Sequence, residues 1–171
     1  MNDPQSAPVV RSFTAPVVHR IGVYEFQMSM ELILDASATL AWLLQSVDPI
    51  EDQLANAVLR FANTADPLAP PLWYSGVANG VLVTERRGDI SQSASAAFLR
   101  IVEELPILED ATRPSAVQPT ILMLARAYKL AGYDATYLEL VLRTGRALAT
   151  FDRQLAGAVH EAGGRVFGDP A

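Results

Sequence analysis

Three consecutive aliphatic residues, Leu32-Ile33-Leu34, stand between Glu31 and Asp35. A run so short and wholly apolar suits a strand covered on both faces, because a half-exposed strand alternates. Ala147-Leu148-Ala149-Thr150 reads as a second such strand. Helical periodicity fills most of the chain between them. Helices are expected over 36–45, 49–63, 72–87, 91–105, 117–131, 134–145 and 152–163. Pro49 opens the second of these, and Gly88 and Gly132 close the third and fifth. A weak strand is expected at 106–108, a last strand at 165–167, and a loop where Pro67, Pro70 and Pro71 cluster. Strands alternating with helices predict an α/β fold on a mainly parallel sheet.

Residues 1–29 differ from the rest. Pro4, Pro8 and Pro16 interrupt them, and no period is sustained. They read as an N-terminal extension before a domain spanning 30–171. An added strand at Ile21–Gln27, or a natural start at Met28 or Met30, are the alternatives.

Composition removes several chemistries. The 171 residues hold no cysteine, two histidines (His19 and His160) and one lysine, Lys129. Thiol nucleophiles, Fe–S clusters and thiolate zinc sites are excluded. A Ser-His-Asp triad is disfavoured. A formal charge of −6 argues against bulk coating of nucleic acid, though not against a local basic rim. No stretch approaches the ~20 apolar residues that span a bilayer, and no signal-peptide pattern opens the chain, which is compatible with a cytoplasmic location.

Carboxylates and hydroxyls remain. Asp35 and Asp152 each follow a predicted strand and precede a helix, while Asp134 begins the helix before the last apolar strand. In parallel sheets, ligands bind beyond the carboxyl ends of strands. Helix capping accounts for any one of these aspartates taken alone. Three together would repel one another unless a cation lay between them, and oxygen donors suit Mg²⁺ or Mn²⁺. The matching chemistry is metal-assisted attack of water on a phosphodiester. Receiver domains and haloacid-dehalogenase-like phosphatases also place Asp after a first strand. Both want a lysine at a later strand end, whereas Lys129 falls within a helical pattern. The phosphatases also want a second Asp at the position of Ser37.

Four segments in order resemble the motifs of PIN-domain proteins, and of VapC-like toxins of type II toxin–antitoxin pairs in particular. They are Leu32-Ile-Leu-Asp35-Ala-Ser, Leu72-Trp-Tyr-Ser-Gly76-Val-Ala-Asn79, Tyr133-Asp134-Ala-Thr-Tyr137-Leu and Leu148-Ala-Thr150-Phe-Asp152-Arg-Gln-Leu. The resemblance implies a three-layer α/β/α sandwich with a four- or five-stranded sheet. It also implies a metal-dependent ribonuclease whose Mg²⁺ or Mn²⁺ is held by Asp35, Asp134 and Asp152, with Thr150 orienting the site. An RNA substrate, a homodimer, a protein antitoxin and no membrane association are implied with it. One position departs: Gly76 stands where that pattern carries glutamate. Activity is therefore expected to be weakened. The alternative is a catalytically degenerate PIN-like domain that binds protein or RNA, and close helix packing is a further reason for Gly76 and Gly80. Arg86, Arg87, Arg143, Arg146 and Arg153 are candidate phosphate contacts or ordinary solvated helix ends. Trp42, Trp73 and Tyr137 are expected in the core. The apolar helices at 49–63 and 91–105 are expected to offer a surface for a dimer or antitoxin.

Overall fold

The computed structural model describes residues 31–44 and 48–169. The expected extension 1–29, with its alternative strand at 21–27, lies outside the described residues. The elements run β1 (Leu32–Leu34), α1 (Ala36–Leu40), α2 (Pro49–Ala62), β2 (Leu68–Ala69), α3 (Leu72–Arg87), α4 (Gln92–Glu103), β3 (Leu108–Glu109), α5 (Pro114–Tyr128), α6 (Gly132–Thr144), β4 (Ala147–Ala149) and α7 (Arg153–Glu161). The four strands form one parallel sheet in the order β3-β2-β1-β4, with helices on both faces. This is the expected three-layer α/β/α arrangement.

The apolar strands serve both faces at once. Leu32 and Leu34 of β1, with Ala147 and Ala149 of β4, join a core that includes Trp42, Val58, Trp73, Val77 and Phe98 from the α1–α4 side. Ile33 and Leu148 point the other way, into a core with Leu124, Leu138, Leu140 and Leu155 from α5–α7. Period-two alternation in a strand covered on both sides explains why neither strand carries a polar position. Both tryptophans are core, as expected, and their indole N–H groups are satisfied by Ala55 O and Thr39 Oγ1.

Local departures have physical causes. β2 lies in the proline-rich segment expected to be loop. Its ladder avoids the prolines: Leu68 pairs with Ile33 and Leu108, and Pro67 contributes only its carbonyl, to Leu108 N. α1 stops at Leu40 rather than 45, tightening into i→i+3 bonds from Trp42 N to Thr39 O and Leu43 N to Leu40 O. The expected strand at 165–167 is reduced to one parallel bridge, Leu148 with Val166. α5 begins three residues earlier than expected, on Pro114, and ends at Lys129, which adopts a left-handed cap with φ 55°.

Two glycines set the approach of α3 to α1. A Cβ at Gly76 would lie 3.0 Å from Ala36 Cβ, and one at Gly80 only 2.0 Å from Leu40 Cδ1. Close packing, one of the two explanations the sequence leaves open for these glycines, is therefore real. At the chain's end, Phe167 packs edge-on against Phe61 of α2, while Asp169 accepts from Val166 N and pairs with His160 of α7.

Candidate active site

Chain order runs outward from β1 through β2 to β3, then returns to β4 on the opposite side of β1. The crevice of such a sheet opens where the direction reverses, between β1 and β4. Asp35 leaves β1 there, and Thr150 leaves β4. Asp35 N donates to Ala149 O at 3.0 Å, so the ladder still pairs the two chains at this point.

Asp35 does not cap its helix: its side chain makes no cap hydrogen bond to α1. Instead its Oδ2 accepts from Ser37 Oγ at 2.5 Å and from Thr150 Oγ1 at 2.7 Å. Each hydroxyl is itself fixed from behind. Ser37 Oγ accepts from Phe151 N at 2.9 Å, and Thr150 Oγ1 accepts from Asp152 N at 3.0 Å. Each hydroxyl thus donates once to the carboxylate and accepts once from the backbone after β4. At 7% exposure the Asp35 carboxylate is buried, and these two hydroxyls satisfy the oxygen they meet.

Asp152 does cap. It is the N-cap of α7, and its Oδ1 accepts from Gln154 N and Leu155 N. Asp134 sits in the first turn of α6, where the helix dipole favours a negative charge. Burial nevertheless pushes its carboxyl above the usual carboxylate range, and the charges of Asp152 and then Asp35 push it further. Asp152 and Asp35 are therefore close enough to act on the charge of Asp134. They do not close into a nest: among the described residues, no group of three or more acidic or histidine side chains is placed to hold a metal ion.

Two contributors were not singled out for the site from sequence. Ser37, two residues after Asp35, supplies half of the hydroxyl cradle. Tyr137, one turn after Asp134, was expected only as core. It is core at 3% exposure, but its hydroxyl is buried with no hydrogen-bond partner among the described residues. Burial first, and then the Asp35 charge, push the phenol far above its usual range, so the group lies close to that carboxylate. The signal was the i, i+3 spacing of Asp134 and Tyr137 on one helix face.

Gly76 faces the same region, since its missing Cβ would point at Ala36, the residue after Asp35. Of the candidate phosphate contacts, Arg143 is engaged by Glu139 at 2.8 Å and Asp110 at 2.7 Å, and Arg146 by Glu31 at 3.3 Å. Arg153, directly after Asp152, is almost fully exposed and lies 3.9 Å from Glu51. Exposed apolar surface falls on α5 as well as on the two helices expected to carry it. Leu122 and Met123 of α5 are about as open as a surface residue, as is Ile50 of α2.

No protein-family model matches the chain, and no curated protein matches it. Among solved structures it is similar to the crystal structure of PAE2754 from Pyrobaculum aerophilum, with a TM-score of 0.56 and 22% identity over 77% of this chain and 86% of that one. At that identity the likeness establishes a shared fold alone.

Proposed function

We propose that this protein is a metal-dependent endoribonuclease of the VapC-like toxin type, weakened at Gly76. The observation that carries the proposal is Asp35 itself. It is a buried carboxylate at the sheet's switch point, gripped by two hydroxyls and acting electrostatically on Asp134. Carboxylates gathered at one crevice raise the cost of charging Asp134, an arrangement that functional sites favour over purely structural ones. The donor chemistry is all hard oxygen, which suits Mg²⁺ or Mn²⁺. A cation bound there would acidify a water molecule and offset charge on the scissile phosphate. In this scheme Asp35 is the anchored ligand, with Ser37 and Thr150 fixing its orientation. Asp134 and the free oxygen of Asp152 supply the remaining charge, and Arg153 stands at the rim for a phosphate. An antitoxin partner, a homodimer and a cytoplasmic location accompany the proposal. No helix of the described residues is long and apolar enough to cross a membrane.

The test is cleavage of RNA with added Mg²⁺ or Mn²⁺, with Asp35→Asn as the control. Cleavage that requires both the metal and Asp35 is expected, and its absence would end the proposal. A degenerate binding domain is favoured by one observation, the unclosed acidic nest. Gly76→Glu separates the two, with Gly76→Ala as a control for crowding against Ala36. A large gain in cleavage with glutamate alone marks an otherwise intact site, and no gain with either marks a binding role.

A further inference from the structure

Tyr133 stands directly before Asp134 in the first turn of α6, and at 74% exposure it is the most open aromatic among the described residues. The others are buried or partly buried, save Tyr74, whose ring packs edge-on against Trp73. Aromatic side chains ordinarily give most of their area to a core or an interface. Hydrogen bonds place residue 133 at the rim of the crevice. Thr150 Oγ1 donates to Asp35 and accepts from Asp152 N. In the first turn of α7, Gln154 Nε2 donates to Lys129 O at 2.9 Å, which ties that turn to the link between α5 and α6. Lys129 is left-handed, with φ 55°, so the chain reverses there before α6 starts at Gly132. Lys129, Tyr133, Arg153 and Gln154 are all exposed. Arg143 and Arg146 are held by acids, whereas Arg153 meets Glu51 only at 3.9 Å, both in solvent. A strand of nucleic acid at this rim faces the repulsion of the aspartates, so it needs cations for its phosphates and a ring for a base.

We propose that Tyr133 is a stacking platform for an unpaired base of single-stranded RNA, with Lys129 and Arg153 taking the flanking phosphates. The inference rests on the RNA reading above and deepens it, because it names the feature of the substrate that is held. In a duplex the bases cover one another and offer no free face, so the platform selects unpaired strands. Stacking uses the ring and not the phenol hydroxyl, and every base has a face to offer. The role needs no cation in the crevice. It therefore applies equally to a domain that binds RNA without cutting it.

The experiment measures binding of the full chain to a short single-stranded RNA in EDTA, so that neither metal nor cleavage enters. Fluorescence anisotropy gives the affinity. A fluorescent adenine analogue, placed at each position of the RNA in turn, reports stacking by its quenching. Tyr133→Ala is expected to bind about tenfold more weakly and to lose the quenching, with the slope of log affinity against log salt unchanged. Tyr133→Phe is expected to keep both affinity and quenching. Arg153→Gln is expected to flatten the salt slope by about 0.7, the share of one phosphate on a single strand. The melting temperature should hold in all three variants, since each side chain lies in solvent. Equal affinity of Tyr133→Ala and wild type, or an equal loss in Tyr133→Phe, would overturn the platform while leaving an RNA-binding protein. Absence of RNA binding by the wild type would overturn the platform and the RNA reading together. Tyr133-dependent binding without metal-dependent cleavage would uphold the platform and end only the nuclease.

Discussion

Replacing Gly80 with alanine inverts a familiar expectation. In a helix interior, alanine is favoured over glycine by about 1 kcal/mol. At this position the new methyl would sit 2.0 Å from Leu40 Cδ1, 2.9 Å from Cδ2 and 3.0 Å from Cγ. Moving one methyl of Leu40 does not relieve three contacts, so the whole isobutyl group must leave its place against the α1–α3 core. Overpacking of this kind costs about 1–3 kcal/mol, and the depth of overlap puts Gly80→Ala at the upper end. The net loss is about 1–2 kcal/mol, a fall in Tm of roughly 2–8 °C for a domain of this size. Leu40→Ala removes the obstruction at its own cost of about 2 kcal/mol. In the double variant the clash is gone and the helix gain remains. The two losses should therefore fail to add by about 2 kcal/mol, far outside the ~0.5 kcal/mol scatter of independent sites. Urea unfolding of the four proteins at constant m-value measures that coupling. If Gly80→Ala matches or exceeds the wild type, or the two losses simply add, the close approach of α3 to α1 does not depend on this glycine.

Thr150→Val keeps the shape but strips Asp35 of a donor and leaves the Asp152 N–H without its acceptor. A loss of about 2–3 kcal/mol is expected by urea unfolding, with Thr150→Ser retaining most of the stability. For Asp134 the folded-state pKa is raised, so its charged form opposes folding above that pKa, and the penalty disappears as the pH falls to 3.8, its unfolded value. Asp134→Asn should therefore raise Tm at pH 7, by no more than about 2 °C for so accessible a group, with the gain vanishing near pH 3.8; a variant less stable than wild type at pH 7 would contradict this. Asp169 is shifted the other way, held below its ordinary range first by the Val166 N–H and then by His160. Its contribution is fully present above pH 3.8 and lost as the pH falls through its lowered folded-state pKa, so Asp169→Asn should speed amide exchange at Val166 at pH 6, with the difference shrinking as the pH is taken below 3.8.

The parts of the site written in contiguous signals were legible. An apolar run, an acid and a helix start mark Asp35, and the same grammar marks Thr150 and Asp152. The sheet was less so. Leu68-Ala69 is too short for a period and is enclosed by prolines, so only its pairing with Ile33 and Leu108 reveals a strand. At Gly76, sequence leaves packing and a missing acid both open, because the distance to Ala36 belongs to the tertiary structure. Likewise, capping describes Asp152 but not Asp35, whose carboxylate is taken by Ser37 and by Thr150, a partner 115 residues away. Tyr137 fits an apolar stripe in sequence, and the fate of its hydroxyl is visible only once Asp35 is beside it.

The grip on Asp35 has a consequence for synthesis. One of its hydroxyls and both backbone donors behind the pair arrive with the segment after β4, more than a hundred residues downstream. A growing chain still on the ribosome, with that segment not yet emerged, carries the aspartate without its clasp. The clasp on Asp35 is therefore completed only once the stretch after β4 has been made.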